Sequence, residues 1–102
     1  MRTNKKKQVA IWGNMTTGQR REARALAQAL QDRYDLDKVF AELEAQDGTW
    51  ATSNHEYLNG QHYRVTVTSY QLGRRQVTFK RRGVEYSADY QDGKFSYWVA
   101  VA

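Results

Sequence analysis

The sequence contains neither cysteine nor proline, and it has no long apolar run. Without cysteine the chain has no disulfide framework and no thiolate chemistry, which fits a reducing compartment. No stretch approaches the roughly 20 apolar residues that a membrane-spanning helix requires. The apolar stretch 9–12 is also shorter than the core of a signal peptide, which needs about 7–15 residues. We therefore expect a cytoplasmic protein.

The length and composition predict one globular domain. Of the 102 residues, 40% are hydrophobic, 26% charged and 13% aromatic, which suffices for a core. No linker or internal repeat divides the chain. We predict a flexible basic tail over residues 1–7 and a single domain over residues 8–102. Because no disulfide stabilises a domain of this size, its stability depends on packing alone.

The net charge of +5 is unevenly distributed. Residues 1–16 carry four basic and no acidic side chains, whereas residues 17–48 carry five basic and seven acidic ones. Residues 49–102 carry seven basic and four acidic side chains. Such asymmetry favours an anionic partner, but the same charges also serve solubility, and the composition does not separate the two interpretations.

The N-terminal half predicts a short strand over residues 8–13 and then two helices. Thr16 and Gln19 have the spacing of a capping box, which begins a helix that runs to Arg33. Asp35 suits the N-cap of a second helix over residues 36–45, which Asp47-Gly48 ends. Apolar residues at helical spacing predict the buried stripe. Its members are Ala23, Leu26, Ala27, Leu30 and Tyr34 in the first helix and Leu36, Val39, Phe40 and Leu43 in the second.

Residues 61–101 predict a four-stranded antiparallel β-meander. Asp92-Gly93 and Arg82-Gly83 have the composition of two-residue hairpin turns. A three-residue loop over residues 72–74 would keep the apolar residues of the first two strands on one face, with a left-handed residue at or beside Gly73. Residues 49–60 give a weaker pattern, apart from a turn signal at Asn59-Gly60.

Together these elements predict an α+β fold with two layers, in which the N-terminal strand and the two-helix hairpin pack on one face of the meander. The cross-strand pairs follow from the turns and include Tyr90 with Phe95, Ala88 with Tyr97 and Val67 with Phe79. The face toward the helices is expected to carry Tyr63, Val65, Val67, Val77, Phe79, Val84, Tyr86, Ala88, Tyr90, Phe95, Tyr97 and Val99.

The opposite, polar face of the sheet is the candidate working surface. Arginine and lysine there can contact phosphates, and aromatic side chains can stack on bases or enter a partner's pocket. Lys80 and Glu85 also fit a simple cross-strand ion pair, and basic edges deter aggregation. The candidate binding residues are Arg64, Tyr70, Arg74, Arg75, Lys80, Arg81, Arg82 and Trp98, with Lys5, Lys6 and Lys7 in the tail.

Motifs for metal, nucleotide or cofactor binding are absent. His55-Glu56 begins like a zinc-binding helix motif, but position 59 is Asn, so we expect no metal and no cofactor. Neither glycine-rich phosphate-binding pattern occurs. His55, Glu56, Tyr57 and His62 lie close enough in sequence for an acid–base group, or else form a polar loop.

Three functions are compatible with these features. The first is a small, non-catalytic binding module that acts on nucleic acid or on a nucleic-acid-handling protein complex. In composition the chain is similar to phage and mobile-element inhibitors of host defence, such as anti-CRISPR proteins, although no motif identifies that class. Another is a homo-oligomeric assembly protein. It would form a homodimer through the C-terminal strand, which we expect to be a sheet edge.

The remaining function is enzymatic. The predicted order of strand, two helices and antiparallel meander resembles that of ribosome-dependent mRNA-cleaving toxins. The resemblance covers the order of elements alone, and in that family basic residues and a tyrosine on the sheet handle the scissile phosphate. It implies a ribonuclease whose site residues would come from Arg64, Arg75, Lys80, Arg81, Tyr86 and Tyr90. We expect the binding module rather than the enzyme.

Overall fold

The structure, a computed structural model, describes residues 8–102. The predicted tail, with Lys5, Lys6 and Lys7, lies outside the described residues. The elements are β1 (Val9–Ile11), a 3₁₀ turn (Trp12–Asn14), α1 (Thr17–Arg33), α2 (Leu36–Glu44), β2 (Trp50–Leu58), β3 (Gln61–Ser69), β4 (Arg75–Arg81), β5 (Val84–Gln91) and β6 (Lys94–Val101). A second 3₁₀ turn, Gln71–Gly73, lies in the β3–β4 loop. The predicted α+β class is confirmed. Neither helix of this part of the chain has the length and hydropathy needed to cross a membrane.

The sheet has six antiparallel strands in the order β1-β6-β5-β4-β3-β2, not the four of the predicted meander. The stretch 50–58 adds a strand beside β3, and β1 pairs with β6, with Val9 opposite Val101. The C-terminal strand is therefore not the outermost strand, so the expected sheet edge is wrong, and the homodimer itself stays a prediction. Within residues 8–102, β1 covers only the last three residues of β6, Val99–Val101, so residues 94–98 have a neighbouring strand on the β5 side alone.

The two helices begin where their capping residues are. The Thr16 hydroxyl accepts from the Gln19 backbone N–H and the Gln19 side chain accepts from the Thr16 N–H, which completes the predicted capping box. The Asp35 carboxylate accepts from the Lys38 N–H at the start of α2. Arg20 reaches back to the Met15 carbonyl at 2.5 Å, so this first-turn arginine ties the helix to the preceding turn.

The helices and one side of the sheet share a single core. We call that side the inner face and the opposite side the outer face. The stripe of both helices is buried as predicted, except that Tyr34 is exposed and Val39 only half-buried. The largest fully buried side chains are Tyr63, Tyr86, Phe40, Phe79, Leu26, Leu30, Leu58 and Val77.

Two registers differ from the sequence prediction. The β3–β4 loop spans Tyr70 to Arg74, so Val67 pairs with Val77 and not with Phe79. This slip of two residues keeps the same side chains on the inner face, because strand side chains alternate with a period of two. Leu72 and Gly73 both have positive φ, 66° and 78°, which confirms the predicted left-handed conformation.

The second difference is a β-bulge in β6. Asp89 pairs with Ser96 but Ser87 pairs with Val99, so β6 has one extra residue opposite Ala88. Tyr97 takes this position with φ 53° and is 82% exposed, whereas Trp98 is buried at 7%. The predicted inward Tyr97 and Val99 and the predicted outward Trp98 are therefore wrong. The bulge buries the larger indole, which stacks on Phe79 and Phe95.

Candidate functional site

The candidate binding residues fall into three groups in the structure. Arg64, Lys80 and Arg82 lie together at one end of the outer face. Tyr70 and Arg74 lie at the other end, in the β3–β4 loop. Arg75 and Trp98 belong to the inner side of the sheet and do not share a surface with Arg64. Arg81 pairs with Glu22 on the inner side, but it also lines the cleft that contains Arg64.

Arg75 is held by acidic residues of α2. Its guanidinium makes a bidentate contact with the Glu44 carboxylate at 2.7 and 2.8 Å and lies 3.7 Å from Asp37. It also covers the Phe40 ring at 5.3 Å. The hydrogen bond from Arg75 holds the pKa of Glu44 below its ordinary value. Arg75 therefore fastens α2 to the sheet.

Arg81 belongs to a polar cluster between α1 and the sheet. Glu22 of α1 accepts hydrogen bonds from the Tyr63 and Tyr86 hydroxyls and pairs with Arg81 at 3.3 Å. Burial raises the pKa of Glu22, but these three donors outweigh it and hold the pKa below the ordinary value. Burial and the bond to Glu22 raise the pKa of both Tyr63 and Tyr86. Arg81 is thus paired on the inner side of the sheet, while part of its side chain lines the cleft that contains Arg64.

The predicted acid–base group of His55, Glu56, Tyr57 and His62 is not assembled. Glu56 is 8% exposed, and its carboxylate lies on the inner face, bound to Arg33 at 2.8 Å and to the Tyr34 hydroxyl. Its neighbours His55 and Tyr57 lie on the outer face because successive strand residues alternate sides. Among residues 8–102, no group of histidine, cysteine or acidic side chains has the arrangement of a metal site.

The pool of residues implied by the toxin resemblance is also divided. Arg75 and Arg81 make ion pairs with helix residues on the inner face, and Tyr86 and Tyr90 are buried at 2% and 3%. Arg64 and Lys80 lie on the outer face, paired across neighbouring strands. Arg64, Lys80 and Arg81 line one cleft, but Arg75 and the two buried tyrosines lie apart from it, so the six side chains do not converge on one point.

What the outer face does assemble is a basic cleft, which encloses about 700 Å³. Strand pairing places His55, Arg64 and Lys80 side by side on β2, β3 and β4. The β4–β5 turn brings Arg82 to the same end. The cleft is lined by His55, Gln61, His62, Arg64, Lys80, Arg81, Arg82 and Gly83.

The charge of this basic cleft is only weakly compensated. Lys80 lies 3.9 Å from Glu85, the predicted cross-strand pair, and both side chains are more than a third exposed. Such a pair contributes little, on the order of 0–1 kcal/mol. Arg64 and Arg82 make no ion pair within residues 8–102. By contrast, Arg74 at the other end stacks on Tyr70 and lies 3.6 Å from Asp89.

A row of exposed rings borders these cations. The His55 and His62 rings stack at 4.8 Å with an interplanar angle of 9°, and Tyr57 lies 5.3 Å from His62. Tyr57 is 66% exposed. The sequence prediction missed this row because residues 49–60 were not assigned to a strand. A two-residue turn at Asn59-Gly60 would have placed Tyr57 opposite His62 and His55 opposite Arg64.

Comparison of the chain with protein-family models, with curated proteins and with solved structures found no match.

Proposed function

We propose that this protein is a non-catalytic module that binds single-stranded nucleic acid through the basic cleft and the ring row beside it. The observation that carries the proposal is the placement of Arg64, Lys80 and Arg82 next to the stacked rings of Tyr57, His62 and His55 on one exposed face. Single strands are bound by this combination, in which cations follow the phosphates and bases stack on aromatic rings.

Single strands suit this surface better than a duplex does. Unpaired bases can reach the ring row, whereas the bases of a duplex are stacked on each other and show only their edges in the grooves. The structure described here has no helix placed on the outer face that could enter a major groove. Strand pairing places Tyr57 beside His62 in one cross-strand row and Arg64 beside Lys80 in the next row on the same face, so a nucleotide chain can contact rings and cations together.

The catalytic alternative lacks support from the positions of its residues. The arginines and tyrosines that the toxin resemblance implies are divided between two sides of the sheet. A positioned acid and base must both lie within hydrogen-bond reach of the reacting group. The anti-CRISPR-like inhibitor and the cytoplasmic location stay predictions.

The experiment is fluorescence-polarisation binding to short single-stranded DNA and RNA, with duplexes of the same sequence for comparison. Three phosphate contacts predict that affinity for a single strand falls about 20-fold between about 50 and 200 mM salt. The labelled strand should remain intact afterwards. Absence of binding to every probe at low salt would overturn the proposal and direct the search to a nucleic-acid-handling protein.

A matched pair of variants separates this site from general charge. In R64Q/K80Q/R82Q the three cations of the basic cleft are removed, and the salt slope should fall to near zero. The control R21Q/K38Q/K94Q removes the same number of charges at exposed positions outside it. It should keep most of the slope. Equal losses in the two variants would contradict the placement of the site.

A further inference from the structure

A second cleft lies on the inner side of the sheet, between α1 and the β1–β6 end, and it encloses about 970 Å³. We call it the aromatic cleft and define it by Trp12, Arg24, Lys94, Phe95, Tyr97 and Trp98. It shares no residue with the basic cleft. Its volume is at the upper end of the roughly 300–1,000 Å³ that small-molecule sites occupy.

The fold fixes the walls of this aromatic cleft. The β6 bulge turns Trp98 inward, where it stacks on Phe95 at 5.6 Å, and Trp12 packs against Trp98 at 6.4 Å. Trp12 begins the 3₁₀ turn, and Arg20 donates to the carbonyl oxygens of Trp12 and of Met15, which follows the turn. The rings are therefore held by packing on both sides, which gives a preformed apolar surface.

The charged side chains that line this cleft have one sign. Arg24 and Lys94 are both cations, and neither makes an ion pair within residues 8–102. The Arg24 guanidinium lies 4.9 Å from the centre of the Trp12 ring. The polar neighbours Gln28 and Gln31 donate to Asp32 and to the Gly93 carbonyl. A ligand with a negative group would therefore meet two cations that have no acidic partner within residues 8–102, beside an aromatic wall.

We propose that the aromatic cleft binds a small organic anion with a flat aromatic body. The body would lie against the partly exposed rings of Trp12 and Phe95 and contact the part of Trp98 that lines the cleft, and its negative group would lie between Arg24 and Lys94. Stacking on indole is favourable for flat rings, and the two cations select the charge. This site is independent of the nucleic-acid site, so either proposal can fail without the other.

The test uses three probes that share one naphthalene body: naphthalene-2-sulfonate, naphthalene-2-methanol and the naphthalene-2-methylammonium ion. Binding is followed by the three indole N–H signals in a ¹H–¹⁵N spectrum. Trp12 and Trp98 should shift. Trp50 donates its indole N–H to the Asp47 carbonyl, away from the cleft, and serves as the internal control.

The sulfonate should bind about fivefold more tightly than the alcohol, since two exposed cations each add on the order of 0.5 kcal/mol. The ammonium ion should bind more weakly than the alcohol. In R24Q/K94Q the three affinities should converge, whereas R21Q/K38Q, which changes two exposed charges elsewhere, should keep the order. Equal affinities in the wild type, equal shifts at Trp50, or no shift at millimolar probe would each overturn the proposal.

Discussion

Replacement of Glu22 by glutamine is the sharpest perturbation of the fold. Glu22 joins α1 to three strands at once, because it accepts from Tyr63 on β3 and Tyr86 on β5 and pairs with Arg81 on β4. Both tyrosines are 2% exposed, so their hydroxyls have little access to water as a substitute acceptor. The amide of glutamine keeps one acceptor oxygen but loses the charge.

The expected loss of stability is about 2 kcal/mol. A hydrogen bond to a charged group contributes roughly 1.5–3 kcal/mol, and glutamine retains part of the tyrosine contacts as weaker neutral bonds. The ion pair with Arg81 adds less, since both side chains are more than a quarter exposed.

The loss should depend on pH in a defined direction. Because the folded-state pKa of Glu22 lies below the ordinary 4.5, its stabilisation is present above that value. It disappears as the pH falls through the folded-state pKa, where the carboxylate gains a proton in both states.

Urea unfolding followed by circular dichroism measures this loss. At pH 7 the Glu22→Gln variant should unfold about 2 kcal/mol more easily than the wild type, and the difference should shrink toward pH 3. The control Glu42→Gln changes an exposed carboxylate that makes no ion pair within residues 8–102, and it should differ from wild type by less than about 0.5 kcal/mol. A Glu22→Gln difference as small as that control's, or one that persists undiminished at pH 3, would refute the reasoning.

Three further predictions concern β6 and the basic cleft. Trp98→Ala should lower the free energy of unfolding in urea by about 3–5 kcal/mol, because it removes a buried indole. The control Trp50→Ala, at a half-exposed indole, should lower it clearly less, and equal losses would contradict the inward placement of Trp98. Tyr97→Gly should be neutral or stabilising within about 1 kcal/mol, since glycine accepts the positive φ of the bulge; a larger destabilisation would argue against that conformation. Glu85→Gln should tighten binding of a single-stranded oligonucleotide about twofold in fluorescence polarisation, because it frees Lys80; weaker binding would contradict the site.

The elements with strong local signals were predictable from the sequence. The capping box at Thr16 and the N-cap at Asp35 begin helices where expected. The turn at Asp92-Gly93 is a two-residue turn with positive φ at both residues, and it pairs Tyr90 with Phe95 as expected. In these cases a few adjacent residues determine the backbone, so no distant contact is needed.

The strand β2 was not predictable in the same way. Its first six residues, 50–55, are exposed on both faces, so the alternation of apolar and polar residues that indicates a half-buried strand is missing. Only Glu56 and Leu58 are buried. Its pairing with β3 depends on the turn at Asn59-Gly60, and without β2 the ring row of Tyr57, His62 and His55 could not be recognised.

The bulge and the ion pairs depend on tertiary contacts. Tyr97 and Trp98 both fit an unbroken strand, and the choice of which ring is buried follows from packing against Phe79 and Phe95. Strand parity alone would place Arg75 on the inner face with Val77, but its partner Glu44 comes from a helix distant in sequence. The sequence thus identifies the candidate arginines, but it does not distinguish those that make ion pairs from those that make none within residues 8–102.

The most direct test of the central claim is a ¹H–¹⁵N titration of the labelled protein with a short single-stranded oligonucleotide at low salt. The account predicts shifts concentrated on the basic cleft and ring row, at Tyr57, His62, Arg64, Lys80 and Arg82, with α1 and α2 unaffected. Shifts centred on the helices, or none at all, would contradict it.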